Sequence, residues 1–319
     1  MTKIYTKRLI FYYFEKHYLF MIRPKYLKKG DTIAIVSTAR KVTKTELNAS
    51  VLLLKKWGLK VIYGTSIGAK HNQFAGDDFL RATDFQSMID NNKVKAIWCA
   101  RGGYGTVRII DKLNFNKFKK TPKWIIGYSD ITVLHAHIHK LGIETLHAQM
   151  PVAIETKSES SIQSLKNALF GENIIIKFPS QKINIIGKEK GILVGGNLSI
   201  LYSLCGSSSA LTTEEKILFI EDLDEYLYHI DRMLQNLKRN GVFKKLRGLI
   251  VGGMTKMHDN TIPYGKTVEE IILDTCGDYN FPIAFNFPAG HIKNNTALYL
   301  GRDIEFIVDN DKVSVTYLN

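Results

Sequence analysis

The feature that most constrains the fold is an alternation of short apolar runs and amphipathic stretches from Asp31 to about residue 150. Four apolar runs predict buried strands at residues 32–36, 59–63, 94–99 and 124–127, and a fifth is predicted at 143–146. Between them, the pattern predicts helices at 47–57, 77–90, 105–113 and 129–140. Strands that alternate with helices indicate a parallel, doubly wound sheet, whose ligands bind beyond the carboxyl ends of its strands.

The remainder of the chain predicts a second unit. Residues 151–185 are polar and poorly periodic, and we interpret them as a connection between two domains. Strands at 217–220 and 249–251, an amphipathic helix at 227–237 and a C-terminal hairpin around residues 309–311 follow. We therefore expect an N-terminal α/β domain over 21–150 and a smaller, mixed α/β C-terminal domain over 186–319.

Residues 1–20 do not fit this pattern. Their apolar, aromatic run is interrupted by Glu15, Lys16 and His17, and they lack the clean apolar core and cleavage site of a signal peptide. They are either a short basic segment for a membrane surface or an extension upstream of Met21. We favour an extension outside the fold.

Composition limits the functional classes. No apolar run approaches the ~20 residues that cross a bilayer. The three cysteines form no CxxC pair, so the sequence favours a reducing, cytoplasmic location and predicts neither a disulfide framework nor a zinc site. Half of the net charge of +14 comes from residues 1–30, where eight Lys or Arg face one acid. The body therefore lacks the basic stripe of a nucleic-acid-binding protein.

A serine follows the fourth predicted strand almost directly. That strand ends at Gly127, Ser129 stands in the turn, and a helical pattern continues to Lys140. A strand, a sharp turn and a helix would lift a hydroxyl above the sheet, with the N–H of Asp130 as an oxyanion donor. Serine is also a favoured helix N-cap, and the stretch taken alone favours that simpler interpretation.

The following helix contains three histidines, but their spacing argues against a metal site. His135 and His139 share a helix face, whereas His137 points away, so at most two could bind one ion. No carboxylate at matching spacing completes a ligand set. We expect a partly exposed helix face and no metal.

Candidates for a base and its orienting acid lie in the second unit. His291 follows an apolar strand in a loop shaped by Pro288 and Gly290, where site residues often occur. Glu221 and Asp222 end another strand, and either could orient an imidazole. Alternatively, they are acids near the start of the next helix, where the helix dipole favours them.

A glycine-rich loop, Arg101-Gly102-Gly103-Tyr104-Gly105, follows the third strand. Its glycines permit close backbone approach, which suits a phosphate cradle or a second oxyanion donor. The loop matches neither the P-loop nor the dinucleotide-binding pattern, so a nucleotide site is weakly indicated.

Together these motifs resemble the LD-carboxypeptidase family, a family of serine peptidases, from about Arg23 to the C-terminus. The motifs that carry the resemblance are Phe74-Ala75-Gly76 with Arg81 and Asp84, Arg101–Gly105, Gly127-Tyr128-Ser129-Asp130, Gly195-Gly196-Asn197-Leu198, Phe219-Ile220-Glu221-Asp222, Asp231-Arg232 and Gly290-His291. Each motif is short, but their common order makes chance similarity implausible. The extension at residues 1–20 is the main departure from the family.

The resemblance implies a flavodoxin-like N-terminal domain and an active site in the cleft between the two domains. It implies a catalytic triad of Ser129, Glu221 and His291. It also implies an oxyanion hole formed by the N–H groups of Asp130 and Gly103.

The implied reaction releases terminal D-alanine from cytoplasmic murein tetrapeptide without a cofactor. Arg101 is a candidate for binding the substrate carboxylate, and a structural role in holding its own loop is the alternative. A microcin-immunity peptidase with the same triad is the alternative, and a non-catalytic binding protein on the same fold is a weaker one. A homodimer is compatible with the sequence.

Overall fold

The computed structural model describes residues 21–318, so the extension expected at residues 1–20 lies outside the described residues. The described strands are β1 (Thr32–Val36), β2 (Lys60–Tyr63), β3 (Val94–Cys99), β4 (Trp124–Gly127), β5 (Thr145–His147), β6 (Ile175–Pro179), β7 (Gly187–Asn197), β8 (Lys216–Leu223), β9 (Gly248–Thr255), β10 (Ile283–Ala284), β11 (Leu298–Leu300), β12 (Asp303–Val308) and β13 (Lys312–Tyr317). The α-helices are α1 (Asn48–Lys56), α2 (Asp78–Asp90), α3 (Asn116–Lys120), α4 (Thr132–Lys140), α5 (Glu159–Phe170), α6 (Leu198–Ser203), α7 (Leu227–Arg239) and α8 (Val268–Cys276).

The first sheet confirms the predicted doubly wound architecture. Its strand order is β11-β5-β4-β3-β1-β2, and β1 to β5 are all parallel to their neighbours. The five parallel strands therefore have the flavodoxin-like order 2-1-3-4-5. Helices α1 and α5 contribute to the core on one face, and α2, α3 and α4 contribute to the core on the other.

The second sheet contains both parallel and antiparallel strands, within the mixed α/β C-terminal part that the sequence predicts. Its order is β10-β9-β8-β7-β12-β13-β6, parallel from β10 to β7 and antiparallel from β7 to β6. The predicted C-terminal hairpin is present as β12 and β13. Helices α6, α7 and α8 pack on one face of the parallel part.

Two expected elements differ in the structure. Residues 105–113 form two 3-10 turns, Thr106–Arg108 and Ile110–Lys112, in place of a helix. The interpreted connection, residues 151–185, contains α5 and β6, and β6 pairs with β13 of the second sheet. No helix among the described residues has both the length and the apolar character to cross a membrane.

The chain returns to the first sheet near its C-terminal end, which brings the two units together. After β10, at the edge of the second sheet, residues 285–297 lead to β11, which pairs antiparallel with β5 of the first sheet. Next to this crossing, the buried Arg302 guanidinium donates from Nε to Glu144 Oε2 over 3.1 Å. Thr132 Oγ1 also accepts a hydrogen bond from Asn197 N over 3.0 Å. The loop that contains His291 therefore spans from one sheet to the other.

Candidate active site

Ser129 occupies a turn with an unusual backbone conformation. Gly127 ends β4, Tyr128 is extended, and Ser129 has φ of 63° at the start of a 3-10 turn that leads into α4. This left-handed conformation is uncommon for a residue with a β-carbon, and it is typical of nucleophiles held at a sharp strand-to-helix turn. No side-chain cap is present at the 3-10 turn or at α4, so the interpretation of Ser129 as an N-cap is wrong.

The glycine-rich loop lies directly against this serine. A β-carbon added to Gly102 would lie 2.9 Å from Ser129 Cβ and 3.0 Å from Ser129 Oγ, so only glycine fits there without a shift. The next residue, Gly103, has φ of 107°. The backbone of this loop is therefore close enough to Ser129 to share one substrate carbonyl with it.

Two buried side chains hold the loop in this position. Asp130 Oδ2 accepts a hydrogen bond from Thr106 N over 2.8 Å, which ties the serine turn to the end of the loop. Burial raises the pKa of Asp130, and the hydrogen bonds from Thr106 oppose that rise. Arg81, fully buried, donates to the carbonyl oxygens of Thr38 and Gly105. Arg81 and Asp130 therefore hold two adjoining residues, Gly105 and Thr106, at the end of the loop.

His291 and Glu221 form a hydrogen-bonded pair. His291 Nδ1 lies 2.6 Å from Glu221 Oε2, and the His291 backbone N–H donates to the same oxygen over 3.1 Å. Because a carboxylate only accepts, it favours the tautomer with the proton on Nδ1 and leaves Nε2 able to accept a proton. Burial lowers the pKa of His291, but the charge and hydrogen bond of Glu221, together with the charge of Asp222, outweigh it, so the net pKa is raised.

The backbone before His291 is shaped to permit this pair. Gly290 has φ of 109°, and a β-carbon there would lie 2.8 Å from Glu221 Cβ and Oε2. Its N–H donates to Asn295 Oδ1 over 2.8 Å, and Asn295 is fully buried. Asn295 was not among the predicted site residues, because an asparagine four residues beyond a histidine has no local signature.

Asp222, the other candidate for orienting an imidazole, faces away from His291. Its Oδ1 accepts from Asn197 Nδ2 over 2.9 Å, and its Oδ2 accepts from Ser199 N over 2.8 Å. Burial, with the charge of Glu221, raises the pKa of Asp222 to about 7. Asp222 therefore holds the start of α6, and Glu221 is the partner of the imidazole.

The serine turn and the histidine meet through Tyr128. The ring centroids of Tyr128 and His291 are 4.8 Å apart, and Ser129 is the next residue in the chain. Within the described part of the chain, no hydrogen bond joins Ser129 Oγ to His291. Catalytic hydrogen bonds of this kind are often long without substrate and shorten when substrate binds.

The histidines of α4 do not form the partly exposed face that we expected. His135 and His139 are buried: His135 contacts Thr145 Oγ1 at 2.8 Å, and His139 Nε2 contacts Lys216 Nζ at 2.8 Å. Thr145 of the first sheet covers His135, and Lys216 of the second domain covers His139; the helical pattern alone indicates neither contact. Among residues 21–318, no group of three or more His, Cys, Asp or Glu side chains is arranged to hold a metal ion.

Arg101, the candidate for substrate binding, already faces a carboxylate within the chain. Its Nη1 lies 3.6 Å from Glu46 Oε1, and both side chains are partly exposed. Glu46 in turn accepts from Thr43 N over 2.8 Å. Arg101 is thus connected to the segment before α1.

Comparison with known protein families assigns both parts of the chain. Residues 33–148 match the LD-carboxypeptidase N-terminal domain, and residues 190–306 match the LD-carboxypeptidase C-terminal domain. The chain belongs to the LD-carboxypeptidase family. Membership of this family supports the interpretation of the protein as a hydrolase, and it confirms the resemblance seen in the motifs.

Individual members of this family agree in length and fold. The chain is 35% identical to the probable murein peptide carboxypeptidase of Bacillus subtilis over 88% of this chain and 89% of that protein. It is 27% identical to the microcin C7 self-immunity protein MccF of Escherichia coli, over 91% of this chain and 94% of that one. The crystal structure of muramoyltetrapeptide carboxypeptidase from Oxalobacter formigenes aligns with a TM-score of 0.83 at 25% identity, over 90% of this chain and 99% of that one.

Proposed function

We propose that this protein is a serine carboxypeptidase that cleaves an L,D-peptide bond and releases terminal D-alanine from murein tetrapeptide. The observation that carries the proposal is the His291–Glu221 pair, packed through Tyr128 against a serine with φ of 63°. A nucleophile, a base and an orienting acid are the parts that acyl transfer through a covalent intermediate requires.

In the proposed mechanism, Ser129 is the nucleophile. His291 Nε2 takes the proton of Ser129 Oγ as the hydroxyl attacks the scissile carbonyl. The imidazolium then gives that proton to the nitrogen of the departing D-alanine. A water molecule, activated by the same imidazole, hydrolyses the acyl-enzyme, and Ser129 is regenerated. Throughout, Glu221 keeps the imidazole in its reactive tautomer and stabilises its positive charge.

The oxyanion of the tetrahedral intermediate is assigned to two backbone donors. The N–H of Asp130 follows the nucleophile directly, and the N–H of Gly103 belongs to the loop that contacts Ser129 through Gly102. Loss of one such donor typically costs about 2.7–4 kcal/mol of barrier lowering. The side chains of Asp130 and Arg81 matter to catalysis because they hold these donors in position.

Two sets of comparisons bear on the substrate. The chain is 35% identical to a probable murein peptide carboxypeptidase and 27% identical to a microcin C7 self-immunity protein. We therefore place murein tetrapeptide first and a peptidyl-nucleotide antibiotic second. Release of D-alanine fits a cytoplasmic enzyme, and the three free cysteines agree with a reducing compartment.

The test compares the cleavage of the two substrate classes. Wild-type protein is incubated with purified murein tetrapeptide and, separately, with an aminoacyl-adenylate analogue, and products are identified by mass spectrometry. We expect tripeptide and D-alanine from the first. Faster cleavage of the adenylate analogue would assign the immunity function instead. Failure with both substrates, together with no labelling of Ser129 by a fluorophosphonate, would indicate a non-catalytic binding protein.

A further inference from the structure

We propose that Arg40 binds the terminal carboxylate of the peptide substrate, in a pocket next to the glycine-rich loop. This inference rests on the proposed function and adds the group that recognises the free end of the peptide. It differs from the assignment of that role to Arg101, which the sequence alone suggested.

The pocket has the composition of an anion site. Its lining consists of three cationic side chains and two amides, and it contains no acid: Arg40, Lys41, Asn72, Gln73 and Arg101. We call it the cationic pocket. All five side chains carry N–H donors, so a carboxylate that enters it meets charge and hydrogen-bond donors together.

The cationic pocket adjoins the proposed oxyanion loop. A β-carbon on Gly103 would lie 2.6 Å from Arg40 Cδ and 3.0 Å from Arg40 Nε, so the arginine stem passes directly over that glycine. A β-carbon on the preceding Gly102 would lie 3.0 Å from Ser129 Oγ. Arg40 and the nucleophile therefore contact two successive residues of the same loop.

This spacing matches the chemistry of a carboxypeptidase substrate. In such a peptide only the amide nitrogen and one α-carbon separate the scissile carbonyl from the terminal carboxylate. When that carbonyl accepts hydrogen bonds from Asp130 and Gly103, the carboxylate falls within reach of a cation beside Gly103. Arg40 is the cation whose stem contacts Gly103.

Arg40 is anchored at its backbone and unoccupied at its guanidinium. Its carbonyl accepts from Ser37 Oγ over 2.6 Å, and its backbone forms a β-bridge with Phe74. Among residues 21–318, its guanidinium forms no ion pair or hydrogen bond. Arg101, by contrast, lies 3.6 Å from Glu46. Among the described residues, Arg40 therefore supplies the unpaired positive charge that lies against Gly103 of the glycine-rich loop. Its planar guanidinium can bind a carboxylate through two hydrogen bonds.

The test compares the tetrapeptide with the same peptide ended by a carboxamide. Arg40→Met removes the charge but keeps a long stem over Gly103. For this variant we expect KM for the free acid to rise ~10–100-fold, as loss of a charge-assisted hydrogen bond predicts, with little change for the carboxamide. Arg40→Lys should recover part of the loss. Arg239→Met, an exposed arginine at the end of α7, is the matched control and should leave both substrates unchanged.

The alternatives have distinct outcomes. An unchanged preference for the acid over the carboxamide in Arg40→Met would overturn the inference while the peptidase function stands. Collapse of that preference in Arg101→Met alone would transfer the role to Arg101. A wild-type protein that released neither D-alanine from the free acid nor D-alanine amide from the carboxamide would contradict the proposed function and this inference with it.

Discussion

His291 donates from Nδ1 to Glu221 Oε2 over 2.6 Å, although the two residues are 70 positions apart in the chain. Glu221 lies in β8, and His291 follows β10; β9 lies between these two strands in the second sheet. Because all three strands are parallel, their carboxyl ends meet at one edge. The pair is therefore a consequence of sheet topology, and its chemistry can be tested by titration.

The first prediction concerns the pH dependence of activity. A base must be neutral to accept a proton, so kcat/KM should rise with pH through the pKa of His291. Burial lowers this pKa, but Glu221 and the charge of Asp222 together raise it more, so the midpoint should lie above the ordinary histidine value of about 6.5. In Glu221→Gln the midpoint should move to lower pH, because burial then acts without the carboxylate.

The same variant should lose turnover, by a factor of up to roughly 10⁴ if it behaves as the amide replacement does in a Ser-His-Asp triad. The measurement is kcat/KM from pH 5 to 9 for wild type and Glu221→Gln. A midpoint that stays in place or moves to higher pH would show that Glu221 does not control the charge of His291.

The second prediction concerns contact between the loop and the nucleophile. Gly102→Ala should lower kcat by about 100-fold, because the added methyl lies 2.9 Å from Ser129 Cβ and must displace the serine or the loop. Gly206→Ala is the control: it has φ of 78° with nothing within 4 Å of the added carbon. It should cost about 1 kcal/mol of stability and leave kcat unchanged. Equal kcat values in both variants would show that the loop does not contribute to the active site.

The third prediction concerns strain at the nucleophile. Both Ser129→Ala and Ser129→Gly remove the hydroxyl, but only alanine keeps a β-carbon at φ of 63°. The left-handed conformation costs a β-carbon about 1–2 kcal/mol, and the greater freedom of glycine in the unfolded chain offsets part of that. We expect the glycine variant to unfold with a free energy about 0.5–1 kcal/mol higher in urea titrations. A more stable alanine variant would indicate a relaxed turn.

The fourth prediction concerns the support of His291. Asn295→Ala removes the acceptor for the Gly290 N–H, so the free energy of unfolding should fall by about 1–3 kcal/mol. Activity should fall by up to about 100-fold as the imidazole shifts. The neighbouring Asn294→Ala alters an exposed amide that contacts Ser158 and Ser160, and it should change neither quantity appreciably. If folded Asn295→Ala has the kcat of wild type, Asn295 does not support the position of His291.

Much of the fold could be predicted from local patterns. Strands β1, β3 and β4 begin and end where their apolar runs do, and α2 begins one residue after the expected start, with Asp77 as its N-cap. Such elements are determined by neighbours in sequence. The flavodoxin-like strand order, by contrast, came from resemblance to a family.

The elements that differ from the sequence-based expectation are those whose conformation or burial depends on residues distant in the chain. Residues 105–113 have helical spacing, yet Asp130 binds Thr106 N and Arg81 binds Gly105 O, so the backbone leaves the helical path. His139 lies on a face that appeared exposed in one domain and is covered by Lys216 of the other.

One difference was readable in the sequence. Helix α5, inside the interpreted connection, begins after the N-cap Ser158 and ends before Gly171, which has the left-handed conformation. A serine cap and a terminal glycine are ordinary helix boundaries. The polar character of the surrounding residues obscured them.

The sequence could nominate candidate site residues only where a motif marks them. Ser129, Glu221 and His291 each stand in a short motif, so the sequence could nominate them before their arrangement was known. Asn295 and Arg40 have no motif. The roles that we propose for them rest on contacts with Gly290 and Gly103 that only the folded chain creates.

Release of D-alanine by Ser129→Ala, beside wild type, tests the central claim most directly. Purified murein tetrapeptide is incubated with each protein, and free D-alanine and tripeptide are quantified by mass spectrometry, with circular dichroism to verify that the variant is folded. The account predicts stoichiometric tripeptide and D-alanine with wild type and none above background with the folded variant. Turnover at the wild-type rate by Ser129→Ala would contradict it.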